Sequence, residues 1–465
     1  MDHQAHTWAE REFGDAELGD ERRTRRLVEI AAGALRRPAG RVTEVFGTDA
    51  GRQGAYDFLE SEAVGAGAIL EAAVRATVRR VAKQPYAFVA IDGTSLSLID
   101  PRGMKNFGAI GAYKDGGRGL KLLHAYVIDR QGIPSGVSCQ IWWARPDTHI
   151  KKKQFRPLRT KETKHWLEAI DETAKRFEQH AKGTRPWFLL DREGDCWPTL
   201  KRLVDGAELF TVRSCWDRRL KTASDEPRVY LRETLRQTRR RYVSYIDVPA
   251  GAGRKARRAR LEVRAARVVL DLKDGWWKRR YKRALNAVLV RERGTAPSGE
   301  KPIEWQLLTS HPIETVEQLK LVVFSYTQRW RIEELHKTLK SGACRVEETQ
   351  LQTKDRVIKW ATIMVAVASR IERIKRFSRE KPNEPASVEL SEHEIRALIK
   401  LKRLHKKRTE TISDDEPSIE QATRWLAELG GYTGKSSGGP PGSITIRRGL
   451  DYIAPLVLVI QAGEL

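Results

Sequence analysis

The sequence contains little cysteine and no long apolar run. No two of its four cysteines stand at the spacing of metal ligands, so neither a zinc site nor a disulfide framework is predicted. The longest apolar tracts, Ile363 to Ala368 and Ala454 to Ile460, are far shorter than the ~20 residues of a membrane-spanning helix. The N-terminus also lacks the basic-then-apolar pattern of a signal peptide. We therefore expect a cytoplasmic protein without a membrane partner. The cysteines are Cys139, Cys196, Cys215 and Cys344.

Acidic residues are in deficit. The chain has 61 Asp and Glu against 86 Lys and Arg, which gives a formal net charge of +25. A protein this basic is expected to bind a polyanion, with nucleic acid as the first candidate. A highly soluble protein with no such partner is the alternative that charge alone leaves open. The length of 465 residues allows two or three domains.

Residues 1–75 are predicted to form a helical domain. Asp20 is a typical helix N-cap, and several arginines follow it within two turns. A basic helix of this kind suits phosphate contacts or entry into the major groove of DNA, whereas a solvated surface helix is the alternative. The candidate DNA-binding residues of this helix are Arg22, Arg23 and Arg26.

The middle of the chain alternates strand and helix patterns. Two apolar runs, Tyr86 to Ile91 and Pro186 to Leu190, are typical of buried strands, and we expect them to end at Asp92 and Asp191. A hairpin, a helix and a further strand are predicted at 120–143, 160–180 and 208–213. This order predicts a mixed α/β sheet. Two nearby acids, Glu193 and Asp195, compete with Asp191, which is preferred because it directly follows the apolar run.

One helix is predicted to span residues 326–340 and to carry reactive side chains on one face. Tyr326, Arg329, Glu333 and Lys340 fall within an arc of roughly 60° at about 100° per residue. A carboxylate flanked by a phenol and two cations can bind a metal and grip phosphate. An ordinary amphipathic helix with a solvated charged face is the alternative for this segment alone.

Three carboxylates, Asp92, Asp191 and Glu333, are the candidate metal ligands and catalytic residues. Hard oxygen ligands suit Mg²⁺ or Mn²⁺, which leave positions for water and phosphate oxygens. Two such ions could activate an attacking hydroxyl and stabilise the leaving oxygen of an in-line displacement. With 61 acidic residues in the chain, however, a triple of this kind can also arise by chance.

The remaining regions are predicted from their patterns. Residues 225–310 alternate and are rich in basic residues, which predicts a β-rich subdomain inserted in the α/β core. Within it, Trp305 could stack on an unpaired base, although a lone strand tryptophan is more often part of a core. A long apolar helix is predicted from about Lys354 to Phe377. A helical C-terminal region follows, in which Pro455 should break any long terminal helix.

Several of these segments together resemble the DDE transposases of insertion-sequence family four, the cut-and-paste group that includes the Tn-five transposase. The family signature Y-x2-R-x3-E-x6-K is matched by Tyr326, Arg329, Glu333 and Lys340. Further similar segments include Leu18-Gly-Asp-Glu-Arg-Arg, Trp142-Trp-Ala-Arg-Pro-Asp and Trp305-Gln-Leu-Leu-Thr-Ser, in the same order over most of the chain. One departure is Asp92-Gly-Thr, where the family usually has Asp-Thr-Thr.

The resemblance implies an RNase H-like catalytic core, a helical N-terminal domain that binds DNA ends, and a helical C-terminal domain for dimerisation and DNA contact. The core would be interrupted by the β-rich insertion before the catalytic glutamate. The expected domains are 1–75, 76–224 with 311–378, 225–310 and 379–465.

The resemblance also implies a reaction and its partners. Two Mg²⁺ ions, for which Mn²⁺ would substitute, would be held by Asp92, Asp191 and Glu333. Water would nick one strand at a transposon end, and the freed 3′-OH would attack the other strand to form a hairpin, which is reopened before transfer into target DNA. The protein would act as a homodimer on double-stranded DNA, associated with the bacterial nucleoid. Residues expected to contact DNA are Tyr326, Arg329, Lys340, Trp305 and Arg213, with Trp305 stacking on a flipped base.

Two other functions stay open on the sequence. A catalytically silent, transposase-derived regulator would bind DNA without cutting it. A host nuclease would cut DNA structures without forming hairpins or joining strands.

Overall fold

The computed structural model describes residues 3–100, 103–111, 116–146, 157–221, 228–248, 255–273, 280–294, 297, 299–406, 408–434 and 439–463. Within these residues the chain is a mixed α/β structure, as the sequence predicts. No helix in these ranges is both long and apolar enough to cross a bilayer.

The N-terminal region is helical, as expected, and continues slightly further than residue 75. Its second helix begins where the sequence places it, because the side chain of Asp20 accepts the backbone N–H of Arg22 at 2.8 Å. The helices are α1 (His3–Phe13), α2 (Glu21–Arg36), α3 (Val42–Val45), α4 (Asp49–Glu60) and α5 (Ala66–Val81).

Ten strands among the described residues form a single mixed sheet. The order is β2-β3-β1-β5-β6-β10-β9-β8-β7, and β4 pairs with β3. The pairs β1–β5 and β5–β6 are parallel and the others are antiparallel. The strands are β1 (Tyr86–Ser97), β2 (Gly108–Ala109), β3 (Arg118–Ile128), β4 (Pro134–Trp143), β5 (Arg185–Leu190), β6 (Leu209–Arg213), β7 (Arg240–Val248), β8 (Arg257–Lys273), β9 (Arg280–Glu292) and β10 (Glu304–Thr309).

The predicted hairpin is present as β3 and β4, and the helix predicted at 160–180 is α6 (Thr163–His180). The expected end of the first strand at Asp92 is wrong, because β1 continues to Ser97. Its parallel pairing with β5 stops at Ile91 and Leu190, while its antiparallel pairing with β3 extends to the end of the strand. Asp92 is therefore the residue at which β1 loses one of its two neighbours.

The region predicted as a β-rich subdomain inserted in the core contains β7 to β10, and these strands extend the core sheet. The junction is β10, which pairs with β6 of the core on one side and with β9 on the other. Backbone hydrogen bonds thus run continuously from the core strands into the insertion. A short helix, α8 (Leu231–Gln237), packs against β8 and β9.

The second half of the chain is mostly helical. The long helix predicted from Lys354 is present and ends a turn later than expected, at Glu380. It is buried along most of its length and packs against β4, α5 and other helices, so it forms the centre of the helical layer. The helices outside the N-terminal region not yet named are α7 (Trp197–Asp205), α9 (Val316–Gln328), α10 (Arg331–Lys340), α11 (Lys354–Glu380), α12 (Glu392–Leu404), α13 (Ile419–Leu429) and α14 (Ser443–Gln461).

Helix α11 also holds the N-terminal helices. The ammonium of Lys359, which is 1% exposed, donates to the carbonyls of Leu59 at 3.1 Å and Ser61 at 3.0 Å, at the end of α4. The indole N–H of Trp360 donates to the carbonyl of Gly40 at 2.9 Å. Since these groups are buried, removing either side chain would leave polar backbone atoms without partners.

The expectation that Pro455 breaks the terminal helix is wrong. Helix α14 is 19 residues long and contains Pro455 in its interior. Proline in a helix interior costs about 3 kcal/mol, and here the apolar face of α14, with Leu450 and Val457, packs on α12 and α13 and offsets that cost. The contact is close: a Cβ on Gly449 would lie 1.9 Å from the carbonyl oxygen of Leu426.

Candidate active site

The two candidate aspartates lie on neighbouring strands. Asp92 and Asp191 each follow directly after the last parallel pair of β1 and β5, Ile91 with Leu190. Neighbouring strands are ~4.8 Å apart, so this register brings the two residues together at the edge of the parallel pair. Asp191 accepts the backbone N–H of Glu193 at 2.8 Å and so caps a short 3₁₀ turn.

The two acids near Asp191, Glu193 and Asp195, lie in different surroundings from it. Asp195 is buried and forms an ion pair with Arg218 at 2.5 Å; its carboxylate also accepts the backbone N–H of Cys215 at 2.8 Å. These partners give Asp195 a structural role. Glu193 is exposed.

The single helix expected over residues 326–340 is wrong: it is divided into α9 and α10. At Arg329 and Trp330 the backbone hydrogen bonds change to the tighter i to i−3 pattern, as in the bond from Arg329 N–H to the carbonyl of Tyr326 at 3.2 Å. Both residues keep right-handed helical torsion angles, so the chain direction is maintained. The tight turn contains neither Pro nor Gly and coincides with the ion pairs of Arg329.

Arg329 connects two of the three carboxylates. Its guanidinium donates to Asp92 at 3.1 Å and to Glu333 at 2.5 Å. The arginine side chain is 9% exposed, so this pairing takes place largely out of water. Burial lowers the pKa of Arg329, but Tyr326, Glu333 and Asp92 together raise it further, and the net shift is upward. The guanidinium therefore stays charged.

Asp92 carries an unusual carboxyl group. Its pKa is raised from 3.8 to about 7: burial is the largest cause, the charges of Asp191 and Glu333 add to the rise, and Arg329 opposes it. Asp191 follows the neighbouring strand in register with Asp92, and Glu333 shares the guanidinium of Arg329 with Asp92, so the three carboxyl groups lie close together beside one strong counter-charge. A carboxyl group whose pKa is shifted in this way, beside other charged groups, is typical of functional sites.

Tyr326 and two neighbours extend the site towards the insertion. Burial raises the pKa of the Tyr326 hydroxyl, and hydrogen bonds with Arg213 and Arg329 oppose that rise. The ring of half-buried Trp305 meets Tyr326 edge to face, with centroids 5.3 Å apart. Arg213, at the end of β6, also donates to the carbonyl of Glu304 at 3.2 Å.

Lys340 lies at the far end of α10. Its ammonium is 3.6 Å from the carboxylate of Glu347, which also accepts the backbone N–H of Ser97 at 2.8 Å. This places Lys340 near the end of β1. A second lysine, Lys121 of β3, donates to Ser95 at 3.0 Å, and burial together with Arg145 and Lys340 lowers its pKa.

Sequence reasoning missed several groups around the carboxylates. Lys121 is one, and the buried pair His124 and His336 is another, with ring nitrogens 3.2 Å apart. The position of His336, three residues after Glu333 on the same helix, is a signal that the sequence did offer. Lys121 and His124 have no such signal, because only the pairing of β3 with β1 brings them near the site.

The donor chemistry of the three carboxylates fits Mg²⁺, which prefers hard oxygen ligands. Within the described part of the chain, however, no group of three or more Asp, Glu, His or Cys side chains is arranged so that it could hold a metal ion. Asp92 and Glu333 are both bonded to Arg329 instead. Metal binding at these residues requires that Arg329 give up at least part of this pairing.

The N-terminal arginines differ in their surroundings. Arg22 and Arg26 are exposed on α2, and Arg26 pairs with Glu29 at 2.8 Å. Arg23 is half-buried and donates to the carbonyl of Leu18 at 3.0 Å. The first two are open to solvent, whereas Arg23 helps to hold the segment before α2.

A comparison with protein families identifies the N-terminal region. Residues 5–64, which include α2 and these arginines, match a family model described as transposase DNA-binding. This part of the chain is similar to transposase DNA-binding domains. The match supports a transposase that binds DNA. It covers α1 to α4 and leaves the sheet and the carboxylates to be argued from their own geometry.

Proposed function

We propose that this protein is an active cut-and-paste DNA transposase with an RNase H-like catalytic core. It would bind the inverted ends of an insertion sequence as a homodimer, cut both strands through a nick and a hairpin, and join the 3′-OH ends to target DNA. The observation that carries this proposal is the shared space of Asp92, Asp191 and Glu333, in a chain whose N-terminal region matches transposase DNA-binding domains.

The proposed roles follow from the positions of the side chains. Asp92, Asp191 and Glu333 would hold two Mg²⁺ ions, or Mn²⁺ in their place. When bound, these ions would supply Lewis-acid stabilisation of the oxygens that attack and leave the phosphorus atom. Arg329, released from the two carboxylates, would be free to bind a DNA phosphate with a planar, bidentate group.

The groups around the triad would handle DNA. Tyr326, Arg213 and Lys340 place a hydroxyl and two cations around the carboxylates, suited to phosphates of a distorted end. Trp305 offers a half-buried aromatic ring for a flipped base, and its edge contact with Tyr326 would hold the ring in place. Trp305 belongs to β10, and because β10 pairs directly with β6, no flexible linker separates Trp305 from the core sheet.

A catalytically silent DNA-binding regulator is the second candidate. The observation that favours it is the engagement of Asp92 and Glu333 by Arg329, with no metal-ready cluster among the described residues. In this alternative the same three acids and arginine would be a structural ion cluster. A chain of that kind would bind ends but would never need Arg329 to release its partners.

Incubation of the purified protein with DNA carrying its element's own ends, in Mg²⁺ or Mn²⁺, separates these functions on a denaturing gel. A nick followed by a hairpin, both lost in Glu333→Ala while end binding persists, supports the transposase. Binding without any strand cleavage supports the regulator. Cleavage without hairpins or joined strands points to a nuclease. The nearby Glu193→Ala is the matched control, because Glu193 is exposed and outside the triad.

A further inference from the structure

A buried polar pair lies beside the carboxylates and connects the strands to helix α10. His124 is directly opposite Asp92 in the antiparallel pairing of β3 with β1. Residues directly opposite in such a pair project to the same face of the sheet. His336 stands three residues after Glu333 on α10, so the two are neighbours on one side of the helix. One histidine thus belongs to the strand layer of Asp92 and the other to the helix of Glu333.

The two imidazole rings are in contact. Nδ1 of His124 lies 3.2 Å from Nε2 of His336, and the ring centroids are 5.3 Å apart. His124 is 0% exposed and His336 is 7% exposed. Burial lowers the pKa of both rings, that of His336 to about 3, so both rings are neutral. One ring then donates its N–H to the bare nitrogen of the other.

The side chains around His124 offer its ring few other hydrogen-bond partners. On the other side of β3, Gln140 of β4 is opposite His124, and its amide oxygen accepts the hydroxyl of Thr362 on α11 at 3.4 Å. Among the described residues, Nε2 of His124 and Nε2 of Gln140 have no hydrogen-bond partner. The bond to His336 therefore satisfies Nδ1 of His124 and is the side-chain hydrogen bond of this ring among the described residues. A buried polar group with one available partner favours a single placement of the two elements, because sliding leaves it unpaired.

We propose that His124 and His336 are positioning residues that fix α10 on β3 and thereby set the separation of Glu333 from Asp92. Neither ring touches the reacting phosphate. The bond lies where α10, the helix that carries Glu333, packs against β3, the strand paired with β1. The catalytic part of this inference rests on the proposed transposase function, whereas the positioning of α10 does not.

The test compares three variants with the wild-type full-length protein. In the double variant His124→Leu/His336→Leu, two apolar side chains replace the pair, so neither ring leaves the other without its partner. His336→Gln keeps a polar nitrogen near the position of Nε2 and serves as the conservative variant. Phe177→Leu, on the buried face of α6, is the matched control for general loss of packing.

Nicking of end DNA is measured at a range of Mg²⁺ concentrations, together with end-DNA affinity. Misplacement of a reacting group by about 1 Å can cost on the order of a hundredfold in rate. We expect the double variant to bind ends as wild type does, to nick between about ten- and a hundredfold more slowly, and to require more Mg²⁺ for half-maximal rate. His336→Gln should stay within a few-fold of wild type. Wild-type rates in the double variant, or equal losses in the leucine and glutamine variants, would overturn the proposal.

A second measurement keeps the inference separate from the proposed function. In the ¹⁵N-histidine-labelled protein without metal or DNA, coupling across the N–H···N bond should be visible, and amide exchange in α10 should be faster in the double variant than in wild type. If wild type fails to nick its ends, the proposed function is lost and these spectra decide alone. Coupling with faster exchange supports the positioning pair, and the absence of either overturns it.

Discussion

Replacing Asp92 with asparagine should make the metal-free protein more stable while abolishing cleavage. The pKa of Asp92 is raised from 3.8 to about 7 in the folded protein. Between these values the folded state keeps a proton that the unfolded chain has lost. Stability from this group is thus fully present below the unfolded pKa and is lost as the pH rises through the folded pKa.

The size of the effect follows from the shift. About three pKa units at 1.36 kcal/mol each give about 4 kcal/mol as the upper bound for holding Asp92 ionised above pH 8. Asparagine has nearly the same shape and no charge, so it removes this cost. The gain should be near zero at pH 4 and should grow to its full value above pH 7. Relaxation around the site will reduce it.

The assay is chemical or thermal unfolding in EDTA at pH 5 and pH 8.5, with Asp57→Asn as the control. Asp57 is exposed, and its bond from Gln53 at 2.7 Å can be kept by asparagine. Asp92→Asn should unfold at clearly higher denaturant than wild type at pH 8.5, and the difference should shrink at pH 5. Addition of Mg²⁺ should stabilise wild type more than the variant. A variant that is neutral or less stable at pH 8.5 would refute the account of Asp92 as a strained buried carboxylate.

Three further predictions address other parts of the chain. Asp191→Asn should remove nicking of end DNA, since it keeps the cap to Glu193 but loses the charge, while Glu193→Gln should nick as wild type; equal activity of the two variants would contradict the assignment of Asp191. Arg22→Ala and Arg26→Ala should each weaken end binding and reduce the salt dependence by roughly one phosphate contact; Arg23→Ala should lower the melting temperature instead, and an unchanged salt slope in the first two would exclude them as DNA contacts. Gly449→Ala should destabilise the C-terminal helices by about 3 kcal/mol in urea unfolding, because its Cβ would meet backbone at 1.9 Å; Gly442→Ala, whose Cβ meets nothing within 4 Å, should be nearly neutral, and similar stability of both would refute the close helix contact.

Much of the fold could be predicted from the local pattern of apolar and polar residues. The apolar runs before Asp92 and Asp191, the hairpin and the buried helix α11 were all evident from periodicity, because each buries its own apolar residues. The end of β1 was not evident. Whether a strand continues past Asp92 depends on the partner β3, and the alternation after Asp92 is too weak to reveal it.

Three other features depended on tertiary contacts. The turn at Arg329 and Trp330 contains good helix-forming residues, so nothing local predicts that the helix divides there. Pro455 is a helix breaker by its own chemistry, and only the packing of α14 on α12 and α13 overrides it. The extension of the core sheet by β10 requires pairing with β6, which is distant in sequence.

The candidate site was predictable in part. The spacing of Tyr326, Arg329 and Glu333 predicts a shared face, and the structure does bring these residues together near Asp92. The engagement of Arg329 with two carboxylates was not predictable, because a helical spacing specifies neighbours on the helix and not partners on a strand. The role of the triad, of Lys340 and of Trp305 stays a prediction until cleavage is measured.

The attachment of the N-terminal helices to α11 bears on the distance between the recognised DNA sequence and the bond that is cut. Lys359 and Trp360 bond to the end of α4 at Leu59 and Ser61 and to the loop between α2 and α3 at Gly40, so the region is not suspended on a flexible tether. The span from the exposed arginines of α2 to Glu333 is then a property of one folded chain. In a transposase built this way, the number of base pairs between the recognised sequence and the cut bond would be set by a molecular ruler. Lengthening the DNA between them by a few base pairs would move the bond out of reach.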